Sequence, residues 1–185
     1  MKPLFFCGVL ALAVGCASQG RPGDGEASAV APSQALLSAL GTAQALQHES
    51  DEREARGEID LAVASARRIL EVPFDADAPE REDVRLDAYG RLAELELARS
   101  DDAAAEREAQ AGLGESTRDS YFRARLHVVL GRVHQARAAA LRERGDENGA
   151  RVESEAAIDA LERSIAINRV VLGLPAEPAH GEETP

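Results

Sequence analysis

Few residues in this chain are equipped for chemistry. Lys2 is the only lysine, so neither a phosphate-loop lysine nor a Schiff-base lysine is present beyond the first residues. No Gly-x-Ser-x-Gly motif occurs. The histidines are His48, His127, His134 and His180. His127 and His134 are seven residues apart, which on a helix separates them by about 10.5 Å, too far to ligate one metal ion. His48 sits in an acidic stretch and His180 near the C-terminus, without ligand spacing. All four read as packing or surface histidines. The carboxylate clusters, Glu49 with Asp51, Glu52 and Glu54, then Asp101-Asp102 and Asp146-Glu147, do not follow a calcium-loop pattern. They read as solvated faces or helix caps. Arg144-Gly145-Asp146 has the form of an adhesion tripeptide, but within a helix turn chance explains it better. One arrangement remains. Arg125, Val128 and Arg132 share a helix face by steps of three and four. Two guanidinium groups flanking an apolar position could clamp a peptide carboxylate or an acidic side chain. The expectation is therefore a binding surface, with no catalytic residue, no metal site and no cofactor.

The elements that would carry such a surface are helices. The longest periodic stretch is a hairpin, Tyr121 to Leu141 and Ala150 to Leu172, broken at residues 144–149. Its first arm presents Phe122, Leu126, Val129, Leu130 and Val133, its second Ala157, Leu161, Ser164, Ile165 and Asn168, at the helical period. Upstream, Ser33 is a good cap for a helix from Gln34. Residues 47–54 are polar all round and read as an exposed helical extension or a loop. Gly57 permits a turn, and a second helix runs through Ile59 to Leu70, ended by Pro73. Glu80 to Arg99 and Ala103 to Ala111 follow, the latter stopped by Gly112-Leu113-Gly114. Gly173 and Pro175 end the last helix. The fold class is all-α. Aromatic content is only 3%, and alanine fills the gap. Alanine buries little area but lets helix axes approach closely and has the best helix propensity.

The start of the chain reads differently. Lys2 precedes an uncharged apolar run from Leu4 to Val14, which is too short to span a bilayer but suits a secretory leader. The run ends Ala13-Val14-Gly15-Cys16. This resembles the lipobox of bacterial lipoproteins, with Ala13 where leucine is usual. The resemblance implies cleavage before Cys16 and acylation of its thiol, a firm membrane anchor. With Ala17 rather than aspartate next, it also implies an outer-membrane location facing the periplasm. Cys7 would leave with the leader, so the mature chain would hold no free thiol and no disulfide. Its 20 arginines (21 basic residues less Lys2) against 33 acids give about −13, which disfavours nucleic acid and charge-driven binding to anionic lipid. Residues 17–32 are small, polar and contain Gly and Pro. They read as a flexible tether with a span of roughly 20–24 Å.

Three segments repeat a helix-pair pattern. Leu40-Gly41, Leu92-Ala93 and Leu130-Gly131 each precede a second helix carrying Ala62, Ala105 or Ala157. This resembles the tetratricopeptide repeat, a helix–turn–helix of about 34 residues. Its units here are longer, with insertions in the first and third. The resemblance implies antiparallel hairpins stacked as a short solenoid, with Gly41, Ala93 and Gly131 where neighbouring helices cross. A plain hairpin bundle is the alternative. It further implies that the first helix of each pair lines a partner-binding groove. Carried onto this sequence, the groove positions are Asp87, Gly90, Glu94 and Leu97 in the second unit, and Arg125, Val128, Arg132 and Gln135 in the third. The expected organisation is a leader (1–15), a lipidated linker (16–33), a helical domain (34–172) and a disordered tail (173–185). The expected function is an envelope scaffold that binds a protein or peptide, or else a self-associating helical module, possible as a homodimer.

Overall fold

The computed structural model describes residues 32–175, and among these the chain is all helical. Six helices follow in order: α1 (Gln34–Ala55), α2 (Ile59–Ile69), α3 (Pro79–Ala98), α4 (Asp102–Glu115), α5 (Tyr121–Glu143) and α6 (Glu147–Val171). The leader, Cys16, most of the linker and the tail beyond Pro175 lie outside the described residues. No described helix is long and apolar enough to cross a membrane.

Local chemistry explains the boundaries. Ser33 accepts the Leu36 N–H (3.1 Å), Asp101 that of Ala104 (2.9 Å), Ser120 that of Arg123 (3.2 Å) and Asp146 that of Gly149 (2.9 Å). Each of these bonds satisfies a donor that a helix start leaves open. Pro79 opens α3, where a missing N–H costs nothing. Gly57 and Gly145, at φ +75° and +77°, make the tight turns after α1 and α5.

Consecutive helices fold back on one another as α1–α2, α3–α4 and α5–α6, and α5 against α6 is the most extensive contact. The core nevertheless centres on α3, which touches α1, α2, α4 and α5. Its Leu86, Leu92 and Leu95 are fully enclosed. Each such leucine contributes about 1.5–3 kcal/mol of burial. Leu92 and Leu95 pack with Ala62, Val63 and Ala66 of α2, while Leu86 and Ala93 pack with Ala109, Leu126 and Val129.

Several expectations change in detail. Residues 47–54 are helical and complete α1. Gly112 does not stop α4, which continues to Glu115. Gly112 is buried, and a Cβ there would lie 2.8 Å from Leu126 Cδ1 and from the Tyr89 Cβ, so the glycine serves close packing rather than termination. The break in the last hairpin is shorter than expected, since α6 begins at Glu147. Its inward line is Ala157, Ala160, Ser164 and Ile167; Ile165 lies about 100° away from Ser164 and is 53% exposed. Gly131 is a true close approach, with Leu161 3.0 Å from an added Cβ, and Ala93 is fully buried. Gly41 is not at a crossing: it is exposed, with nothing within 4 Å of an added Cβ.

Opposite signs are therefore expected for one substitution at two glycines. Gly41→Ala should stabilise by about 0.5–1 kcal/mol through helix propensity alone. Gly112→Ala should destabilise by about 1–3 kcal/mol, because overpacking outweighs that gain. Urea titration followed by circular dichroism gives both values, and a stabilising Gly112→Ala would refute the close packing described for α4.

Candidate peptide-binding groove

Arg125 is the centre of the charged arrangement that the sequence singled out. It projects from α5 across Gly90 of α3; a Cβ added there would sit 3.7 Å from its Cδ and Nε, in ordinary van der Waals contact. Its Nη2 and Nε reach the two oxygens of Glu94 at 2.6 and 3.3 Å, and its Nη1 donates to Asp87. Burial works against the charge of Arg125, but its hydrogen bonds to Glu94 and the nearby carboxylates outweigh it and raise its pKa. Burial pushes the Asp87 carboxyl above its ordinary value, opposed by Arg125 and reinforced by Glu94.

Asp87, Glu94 and Arg125 are thus brought together. Arg132 is a looser neighbour, with its Nη1 4.0 Å from Glu94 and its side chain 59% exposed. Val128 is half-buried on the same helix. Gln135 lies elsewhere, in a shallow hollow with Ile158 and Leu161 between α5 and α6.

Beside this network runs an open groove of about 450 Å³. Leu40 and Ala43 of α1 face Val84 and Ala88 of α3 across it, and Ile69 of α2 and Phe122 of α5 also line it. Gln44 and Gln47 mark the α1 side; Glu80, Asp83 and Asp87 mark the α3 side. Of the expected groove residues only Asp87 lines this space. Glu80 and Asp83 were not anticipated, although steps of four and three back from Asp87 would have found them on the same helix face. Arg118 pairs with Asp83 at 2.5 Å and with Glu82 at 2.8 Å.

The histidines do not converge. His127 is buried, and burial together with the charges of Arg123 and Arg163 lowers its pKa. His134 Nδ1 meets Glu153 Oε2 of α6 at 2.7 Å. Among the described residues no group of three or more His, Cys, Asp or Glu side chains is arranged to hold a metal ion. No family model, curated protein or solved structure matches this chain.

Removing the central cation should leave two facing carboxylates. Arg125→Met is expected to cost about 1–3 kcal/mol at pH 7. Without the guanidinium, nothing at Asp87 offsets the burial that already raises its pKa, so its carboxyl binds a proton more readily folded than unfolded. The cost should therefore shrink as pH falls into the range where Asp87 takes up its proton. Stability curves of the native and variant chains between pH 7 and 4 check this; a pH-independent difference would mean that Arg125 acts through packing alone.

Proposed function

We propose that this protein is a non-catalytic adaptor of the cell envelope, moored through acyl chains on Cys16, that holds a protein or peptide segment. The observation that carries this reading is the apolar groove between α1 and α3, open to solvent and large enough for several side chains of a bound segment. In the same reading the three hairpins form a short tetratricopeptide-like stack, with α1, α3 and α5 as the first helices of its units. The contacts of α3 with both α1 and α5, and the close approach at Gly131, support that arrangement. Residues 16–33 would then tether the helices to an outer membrane on its periplasmic side. The acidic charge of the chain argues against nucleic acid as the partner.

A second reading, self-association as a homodimer, rests on α6. Ile158, Ile165 and Leu172 are 55%, 53% and 70% exposed at seven-residue intervals, an uncovered apolar line along the final helix. Sedimentation equilibrium separates the two. Dimers abolished by Ile165→Glu favour self-association, and a monomer at every concentration rejects it.

The adaptor reading predicts a position-specific contact in cells. A photo-crosslinking residue replacing Gln44, on the groove, should give a discrete adduct, whereas one replacing Glu155, on the exposed side of α6, should not. Equal adducts at both sites, or none at the groove, would reject it. Palmitate incorporation that persists in Cys16→Ala would reject the anchor.

A further inference from the structure

The groove is polarised in the sense opposite to a carboxylate clamp. Arg125, the cation expected to hold an acidic partner, already donates to Asp87 and Glu94 of its own chain. No lysine or arginine lines the groove. Its α3 wall instead bears Glu80, Asp83 and Asp87, on one helix face and spread over about 10 Å. Asp83 and Asp87 are each matched by one arginine. Glu80 forms no ion pair among the described residues, and its Oε2 is buried without a hydrogen-bond partner. Glu80 itself is half-buried on the groove wall, so an incoming charged N–H group is the partner that its carboxylate lacks within the described residues. Burial raises the Asp87 pKa, which marks the same wall as one where added positive charge is favourable.

We propose, building on the groove as a peptide site, that its occupant is a partner segment carrying a lysine or arginine beside an apolar side chain. The apolar group fills the space between Leu40, Ala43, Val84 and Ala88, and the cation meets Glu80. The chain's own residues 176–185 suit this poorly, since Glu177, Glu182 and Glu183 would face the acidic wall.

The test uses the full chain and three pools of fluorescent decapeptides. Each pool pairs Leu and Val with Lys/Arg, with Ser/Gln or with Asp/Glu, and binding is read by anisotropy at physiological salt. The basic pool should bind tightest. Glu80→Gln should weaken it about five- to tenfold, and Gln44→Arg, at an exposed groove position, should weaken it at least as much. Glu155→Gln removes the same charge from the exposed side of α6 and should change binding less than twofold. Circular dichroism confirms that each variant is folded. Equal losses in Glu80→Gln and Glu155→Gln would reduce the effect to net charge and overturn the assignment. A preference for the acidic pool that Gln44→Arg alters would overturn it while leaving a peptide groove in place. If no pool shows binding sensitive to Gln44→Arg, the groove itself fails as a peptide site. Groove protection that rises with protein concentration in the absence of peptide would assign the occupant to a second copy and equally overturn the proposal.

Discussion

The fold depends on how α3 is allowed to be buried. This helix touches four others, yet its sequence is dense in charge. A charge taken out of water is costly unless a partner travels with it. α1, α4 and α5 each supply one. Arg91 of α3 meets Asp51 and Glu54 of α1 at 2.8 and 2.7 Å. Arg85 grips Glu115 of α4 with Nε and Nη2, and its Nη1 donates to the Leu70 carbonyl just after α2. Asp87 and Glu94 take Arg125 from α5. The leucines of α3 provide the driving force, and these pairs set which rotation and register of each neighbour is compatible with it. Apolar contact alone tolerates sliding, whereas a bidentate arginine does not.

The same constraint shapes the groove. Because the Arg125 contacts draw α5 against the Gly90 side of α3, Phe122 comes to line one end of the space between α1 and α3. Because Arg85, Arg91, Arg118 and Arg125 are engaged by particular carboxylates and no arginine lines the groove, what is left over on its wall is negative. The electrostatic character of the groove is thus a remainder of the packing chemistry. That is why it could not be inferred from the arginines of α5 considered alone.

Much of the architecture can be read from the sequence by local rules. Ser33, Asp101 and Ser120 announce helix starts, and Gly57 and the Gly145 region announce turns, because capping and positive φ involve only a few adjacent residues. Two kinds of feature resist such reading. A glycine that ends a helix and a glycine that admits a neighbour look alike, and Gly112 proved to be the second kind, while Gly41 is neither. Partners across helices are also hidden. Glu94 and Arg125 are 31 residues apart, and nothing local specifies that α5 will present its arginine there. The hairpin from Tyr121 to Leu172 is the clearest pattern in the sequence because it is long. The best-enclosed helix is α3, whose charged residues mask its apolar period.

If α3 is the element that the rest packs upon, its amides should be the last to open. Native-state hydrogen exchange resolved by residue measures this directly. Amides from Leu86 to Leu95 are expected to exchange most slowly, at the free energy of global unfolding, and α6 beyond Ser164 to open well before them. Slower exchange throughout the α5–α6 hairpin, with α3 opening first, would contradict this order.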